Sequence, residues 1–99
     1  MSGQVVLVKC RYLQDSYESE YLGDVCCGEM LRNCCVNLGI DPDMSNGYIH
    51  NVEVYLTSTE SSDSASLRLW AYNPSRRIDT CCFTDSQGLL RLNVLLKMK

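Results

Sequence analysis

Positive charge is scarce in this chain, long apolar runs are missing, and no two cysteines stand at a metal-knuckle spacing. Nine lysines and arginines face twelve acids, for a net charge of −3. A nucleic-acid binder presents a basic stripe. Here the basic residues are scattered, and Arg76-Arg77 is their only doublet. DNA and RNA are therefore not expected partners. Apolar runs reach four residues, as at Val5 to Val8, far short of the roughly twenty needed to cross a bilayer. No basic leader with a small-residue cleavage site opens the sequence, and serine stands where a myristoylation signal needs glycine. These absences lead to an expectation of a cytoplasmic protein without a membrane anchor.

Cysteine is what the chain has in excess. Of its seven cysteines, six form the doublets Cys26-Cys27, Cys34-Cys35 and Cys81-Cys82, and Cys10 stands alone. An odd number cannot pair completely within one chain, and neighbours rarely bridge because the ring is strained. Zinc takes four tetrahedral ligands from tight turns, which doublets do not supply. The pattern reads as reduced cysteine used as a small hydrophobe. No metal is expected.

With 45% hydrophobic residues in 99, the chain can bury one core, so residues 1–99 are read as a single domain. Gln4 to Tyr12 alternates as a strand, with Val6, Val8, Cys10 and Tyr12 on one face. Gln14 to Ser19 reads as a polar turn, and Glu20 to Leu22 as a short returning strand. Cys27, Leu31, Cys34 and Leu38 then recur at helical spacing. A helix is expected from about Val25 to Leu38, with Asp24 as N-cap and Gly39 as a left-handed C-cap followed by Ile40. Asp41 to Gly47 is a loop, Val52 to Thr57 a strand, and Ser58 to Ser66 a Ser/Thr/acid-rich mobile loop. Leu67 to Tyr72 and Ile78 to Phe83 read as strands, with turns at Asn73-Pro74-Ser75 and Asp85 to Gly88. Leu89 to Met98 is the last strand, apolar at Leu90, Leu92, Val94, Leu96 and Met98.

The first and last strands are the longest and most apolar, which is what central strands require. The two chain ends are expected side by side in a mixed sheet, with one helix across it. This α+β pattern resembles a β-grasp, the ubiquitin-like architecture, and no family motif accompanies it. The last residues, Lys-Met-Lys, lack a Gly-Gly ending, so conjugation in the manner of ubiquitin is not expected.

Catalytic chemistry finds no support. Six dispersed glycines form no phosphate loop. His50, the single histidine, has no assigned cysteine partner and reads as a surface residue. Asp41 and Asp43 lack calcium-loop spacing. No enzyme and no cofactor are expected. In Cys81-Cys82 one thiol is expected in the core and the other exposed.

Tyr55, Arg68, Trp70 and Tyr72 are read as one exposed sheet face, opposite Leu67, Leu69 and Ala71. Tyr, Trp and Arg are enriched in interface hot spots. The expectation is a non-catalytic protein-interaction module, an inhibitor or adaptor acting on a larger partner. It is either a module of a longer protein or a complete small protein of viral or phage type that blocks a host factor. The alternatives are a homo-oligomeric structural protein, using that face as its own dimer contact, and a thiol-based redox sensor or enzyme.

Overall fold

The computed structural model describes residues 4–57, 67–70 and 72–99. Strand β1 (Val5–Tyr12) turns directly into β2 (Asp15–Leu22). Helix α1 (Cys27–Asn37) follows, then a ribbon of β3 (Met44–Ser45) and β4 (Tyr48–Ile49). Next come β5 (Val52–Thr57), β6 (Arg68–Leu69), a 3-10 turn (Ile78–Thr80), β7 (Phe83–Thr84) and β8 (Leu90–Met98).

The main sheet runs β2-β1-β8-β5-β6, with β7 also paired to β8. Among the described strands only β1 and β8 pair in parallel, from Val6 opposite Leu90 to Tyr12 opposite Leu96. The expected meeting of the first and last strands in mid-sheet is therefore present. Val6, Val8 and Cys10 of β1 and Leu92, Val94 and Leu96 of β8 point to one face and are buried. Met30, Leu31, Cys34 and Cys35 of α1 close that face with Val52, Val54 and Ile78. Burying a side chain such as Leu92 contributes about 1.5–3 kcal/mol.

Several local expectations are corrected. Gln14 to Ser19 is mostly strand: β2 is eight residues long and pairs with β1 throughout, from Val5 opposite Leu22 to Tyr12 opposite Asp15. It sits at a sheet edge, so only Tyr17, Ser19 and Tyr21 gain partial cover, and a polar sequence suffices. The connecting turn is Leu13-Gln14, with Leu13 at φ 56°.

The helix starts at Cys27 rather than Val25, and Asp24 does not cap it. Its first amides instead donate to a crossing loop, Cys27 N to Arg76 O at 2.7 Å and Gly28 N to Pro74 O at 3.0 Å. Backbone carbonyls thus satisfy amides that a side chain usually serves. At the other end Gly39 has φ 78°, and Ile40 N donates to Cys35 O at 2.8 Å, the Schellman ending that was expected.

Asp41 to Gly47 is only partly loop, because β3 and β4 form a hairpin over Asn46-Gly47, both at positive φ as a two-residue hairpin turn requires. Tyr72 Oη donates to Gly47 O at 2.7 Å and ties this ribbon to the body. The segment Ile78 to Phe83 is not a strand: a 3-10 turn occupies its first half. Leu67 to Tyr72 pairs only at β6, and the proposed Ser58 to Ser66 loop and Ala71 lie outside the described residues. No helix among the described residues is long and apolar enough to cross a membrane.

Candidate functional site

The sheet has one face under α1 and one, here the helix-free face, on which no helix among the described residues lies. On the helix-free face the register aligns Arg11, Leu95, Tyr55 and Leu69 across β1, β8, β5 and β6. Leu69 is 63% exposed and Tyr55 is half-buried. Leu13, 81% exposed at the β1–β2 turn, lines a shallow pocket with Leu95, Lys97 and Met98. Lys97 places its ammonium 5.3 Å from the Tyr55 ring centre, a cation–π contact. Apolar side chains exposed in a contiguous row mark interaction surfaces.

Charge is distributed by strand on this face. The central strands β1 and β8 carry Lys9, Arg11, Arg91 and Lys97, four of the nine cations of a chain whose net charge is −3. Glu18 and Glu20 stand on the edge strand β2, with Lys9 Nζ 3.8 Å from Glu18, and Glu53 of β5 stands opposite Lys97. Arg91 pairs with Asp85. The Asp85 carboxylate also accepts the amides of Gln87 and Leu89, each at 2.9 Å, and so shapes the turn before β8. The Arg91 guanidinium, followed by the Leu89 amide, holds the Asp85 carboxyl below its ordinary range.

The four residues expected to share a face do not all do so. Tyr55 is on the helix-free face, in register with Leu69. Arg68 pairs with Leu56, one residue out of phase, and is therefore on the other side of the sheet. Trp70 and Tyr72 pack against the core, with their rings edge-on at 5.3 Å, and Tyr48 stands edge-on to Tyr72 at 6.0 Å. Leu69, expected in the core, is the exposed one. Trp70 N donates to Val54 O at 2.8 Å beyond the end of β6. Sequence reasoning missed Leu13, Leu69 and Leu95, which continuous alternation through Leu67 to Tyr72 assigned elsewhere or left unassigned.

The thiols separate into two contacts. Cys10 and Cys34 meet in the core between β1 and α1. Hydrogen bonding to Cys34 and burial push the Cys10 thiol up, and burial raises Cys35 to about 11. Cys27 Sγ lies 3.9 Å from Cys81 Sγ, where either thiol can donate. Cys81 and Cys82 leave the 3-10 turn and are both partly exposed, so the expected split into one core and one exposed thiol is not seen. His50 is exposed, its backbone amide bonded to Asp43 O at 2.9 Å. Among the described residues no three His, Cys, Asp or Glu side chains gather as metal ligands.

Comparisons with protein-family models, with curated proteins and with solved structures found no match.

Proposed function

We propose that this chain is a non-catalytic protein-interaction module of β-grasp type that docks a larger protein on the helix-free face of its sheet. The strand order β2-β1-β8-β5-β6 with a parallel central pair supports the architecture. One observation carries the function: the row of half-buried Leu95 and Tyr55 beside exposed Leu69, with exposed Leu13 at its end, bordered by Arg11 and Lys97. Of the residues first assigned to partner binding, Tyr55 keeps that role. Trp70 and Tyr72 support the fold from the core side, and Arg68 lies across the sheet. The partner is a protein that offers an apolar group to this row. The cytoplasmic location rests on the cysteine spacing and remains part of this proposal.

Site-specific photocrosslinkers test the reading. One is placed at Leu69, and a control at Val36 on the outer side of α1, which is 61% exposed. A partner captured from Leu69 and not from Val36, whose purified form then binds the chain, supports the module. A covalent homodimer from Leu69, with a mass that rises with concentration in light scattering, would replace it with the homo-oligomer reading. Equal capture from both positions rejects the face.

A further inference from the structure

We propose that Cys27 and Cys81 form a peroxide-oxidised dithiol, closing to a disulfide between the start of α1 and the 3-10 turn. Fifty-four residues separate the two in sequence, yet their sulfurs stand 3.9 Å apart. The fold holds this approach through backbone bonds on both sides. Cys27 N donates to Arg76 O at 2.7 Å and Ile78 N to Val25 O at 3.0 Å, while Cys81 N closes the 3-10 turn on Ile78 O at 3.1 Å. The sulfurs have to close from 3.9 Å to the S–S bond length of about 2.05 Å.

The pair is asymmetric in the way a redox dithiol needs. Cys81 is partly exposed and Cys27 is fully buried. The groups around them are Arg76, Asp79, Cys26, Cys82 and Tyr72. The hydrogen bond shared with Cys27, and then the Arg76 guanidinium, draw the Cys81 thiol below its ordinary value against the opposing effects of burial and Asp79. The same bond, together with burial, keeps Cys27 protonated. Its exposure makes Cys81 the thiol that meets the peroxide, and the buried Cys27 beside it the resolving thiol. Cys10 and Cys34 also touch, but both are fully buried, so no oxidant reaches them.

The chemistry balances with a peroxide as oxidant. The Cys81 thiolate attacks one peroxide oxygen, the O–O bond breaks, and hydroxide leaves, giving a sulfenic acid. The Cys27 sulfur then attacks the Cys81 sulfur, the S–O bond breaks, and water leaves with the Cys27 proton. Two electrons have passed from the two sulfurs to the peroxide.

Oxidation of the native chain with limiting hydrogen peroxide tests this. Free thiols are then alkylated and the linked peptides mapped by mass spectrometry. The expected product is a Cys27–Cys81 disulfide formed about tenfold faster than oxidation elsewhere. Cys27→Ser is expected to stop at a sulfenic acid on Cys81, trapped by a dione reagent, and Cys81→Ser to leave Cys27 unoxidised. Thermal melts of both variants confirm that they are folded. Linkage of any other pair, or equal oxidation of all seven thiols, overturns the proposal. So does oxidation that requires urea.

Discussion

Leu13 sets local strain against exposure. Its φ of 56° lies in the left-handed region, and the side chain is 81% exposed, so it gains little from packing in return. Asn tolerates that conformation better. Leu13→Asn is therefore expected to raise stability by about 0.5–1 kcal/mol in urea unfolding and to weaken docking on the helix-free face. Gly28 presents the opposite case. A Cβ there would stand 3.1 Å from Pro74 Cβ and 3.3 Å from Pro74 O, the carbonyl that accepts the Gly28 amide. Overpacking costs about 1–3 kcal/mol, while Ala gains at most about 1 kcal/mol over Gly in a helix. Gly28→Ala should therefore be destabilising, seen as a lower urea midpoint. At Asp85 the folded carboxyl titrates below its unfolded value. Its contribution is fully present above the unfolded value of about 3.9 and is lost as pH falls through the folded one. Asp85→Asn keeps an acceptor for Gln87 and Leu89 but loses the charge that faces Arg91. Its urea midpoint should lie below that of the parent chain at pH 7, with the gap closing toward pH 2; a gap independent of pH would contradict the assignment.

Among the elements, the central and edge strands carry unequal weight. Leu92 is fully buried on β8, between β1 and the rest of the sheet, and Leu92→Ala is expected to cost about 2–5 kcal/mol. Glu18→Ala on the exposed edge strand should stay within about 0.5 kcal/mol, since its ion pair with Lys9 is solvent-exposed. Urea unfolding of the two variants measures the contrast. The same inequality explains what could be read from sequence. β1 and β8 were legible because both are long and carry buried apolar residues at every second position. β2 was not, because its outer edge meets water and its covered positions Tyr17, Ser19 and Tyr21 are only partly buried and one of them is polar. The α1 stripe and its Gly39 ending were legible, but its start was not. Asp24 offered a local cap, whereas the amides of Cys27 and Gly28 bond to carbonyls nearly fifty residues away. Trp70 and Tyr72 were misplaced because strand alternation was carried past β6, which pairs for only two residues. The Cys27–Cys81 contact left no trace in spacing, since the fold alone brings the two together.

At the scale of the molecule, the sheet divides the labour. One face, under α1, holds the core with its thiols and the aromatic group of Trp70, Tyr72 and Tyr48. The other carries an apolar row among charged side chains of both signs. The dithiol lies at the start of α1, so its oxidation and docking on the helix-free face are separable events. The central claim is that the helix-free face is the working surface, and paired charge insertions test it most directly. Leu69→Asp and Val36→Asp each place one carboxylate on an exposed apolar site, on opposite sides of the molecule. Titrating both variants against the partner captured at Leu69, by calorimetry, gives the answer. Leu69→Asp is expected to lose at least tenfold in affinity, about 1.4 kcal/mol, while Val36→Asp binds as the parent chain does. Equal affinities, or a loss confined to Val36→Asp, would contradict the central claim.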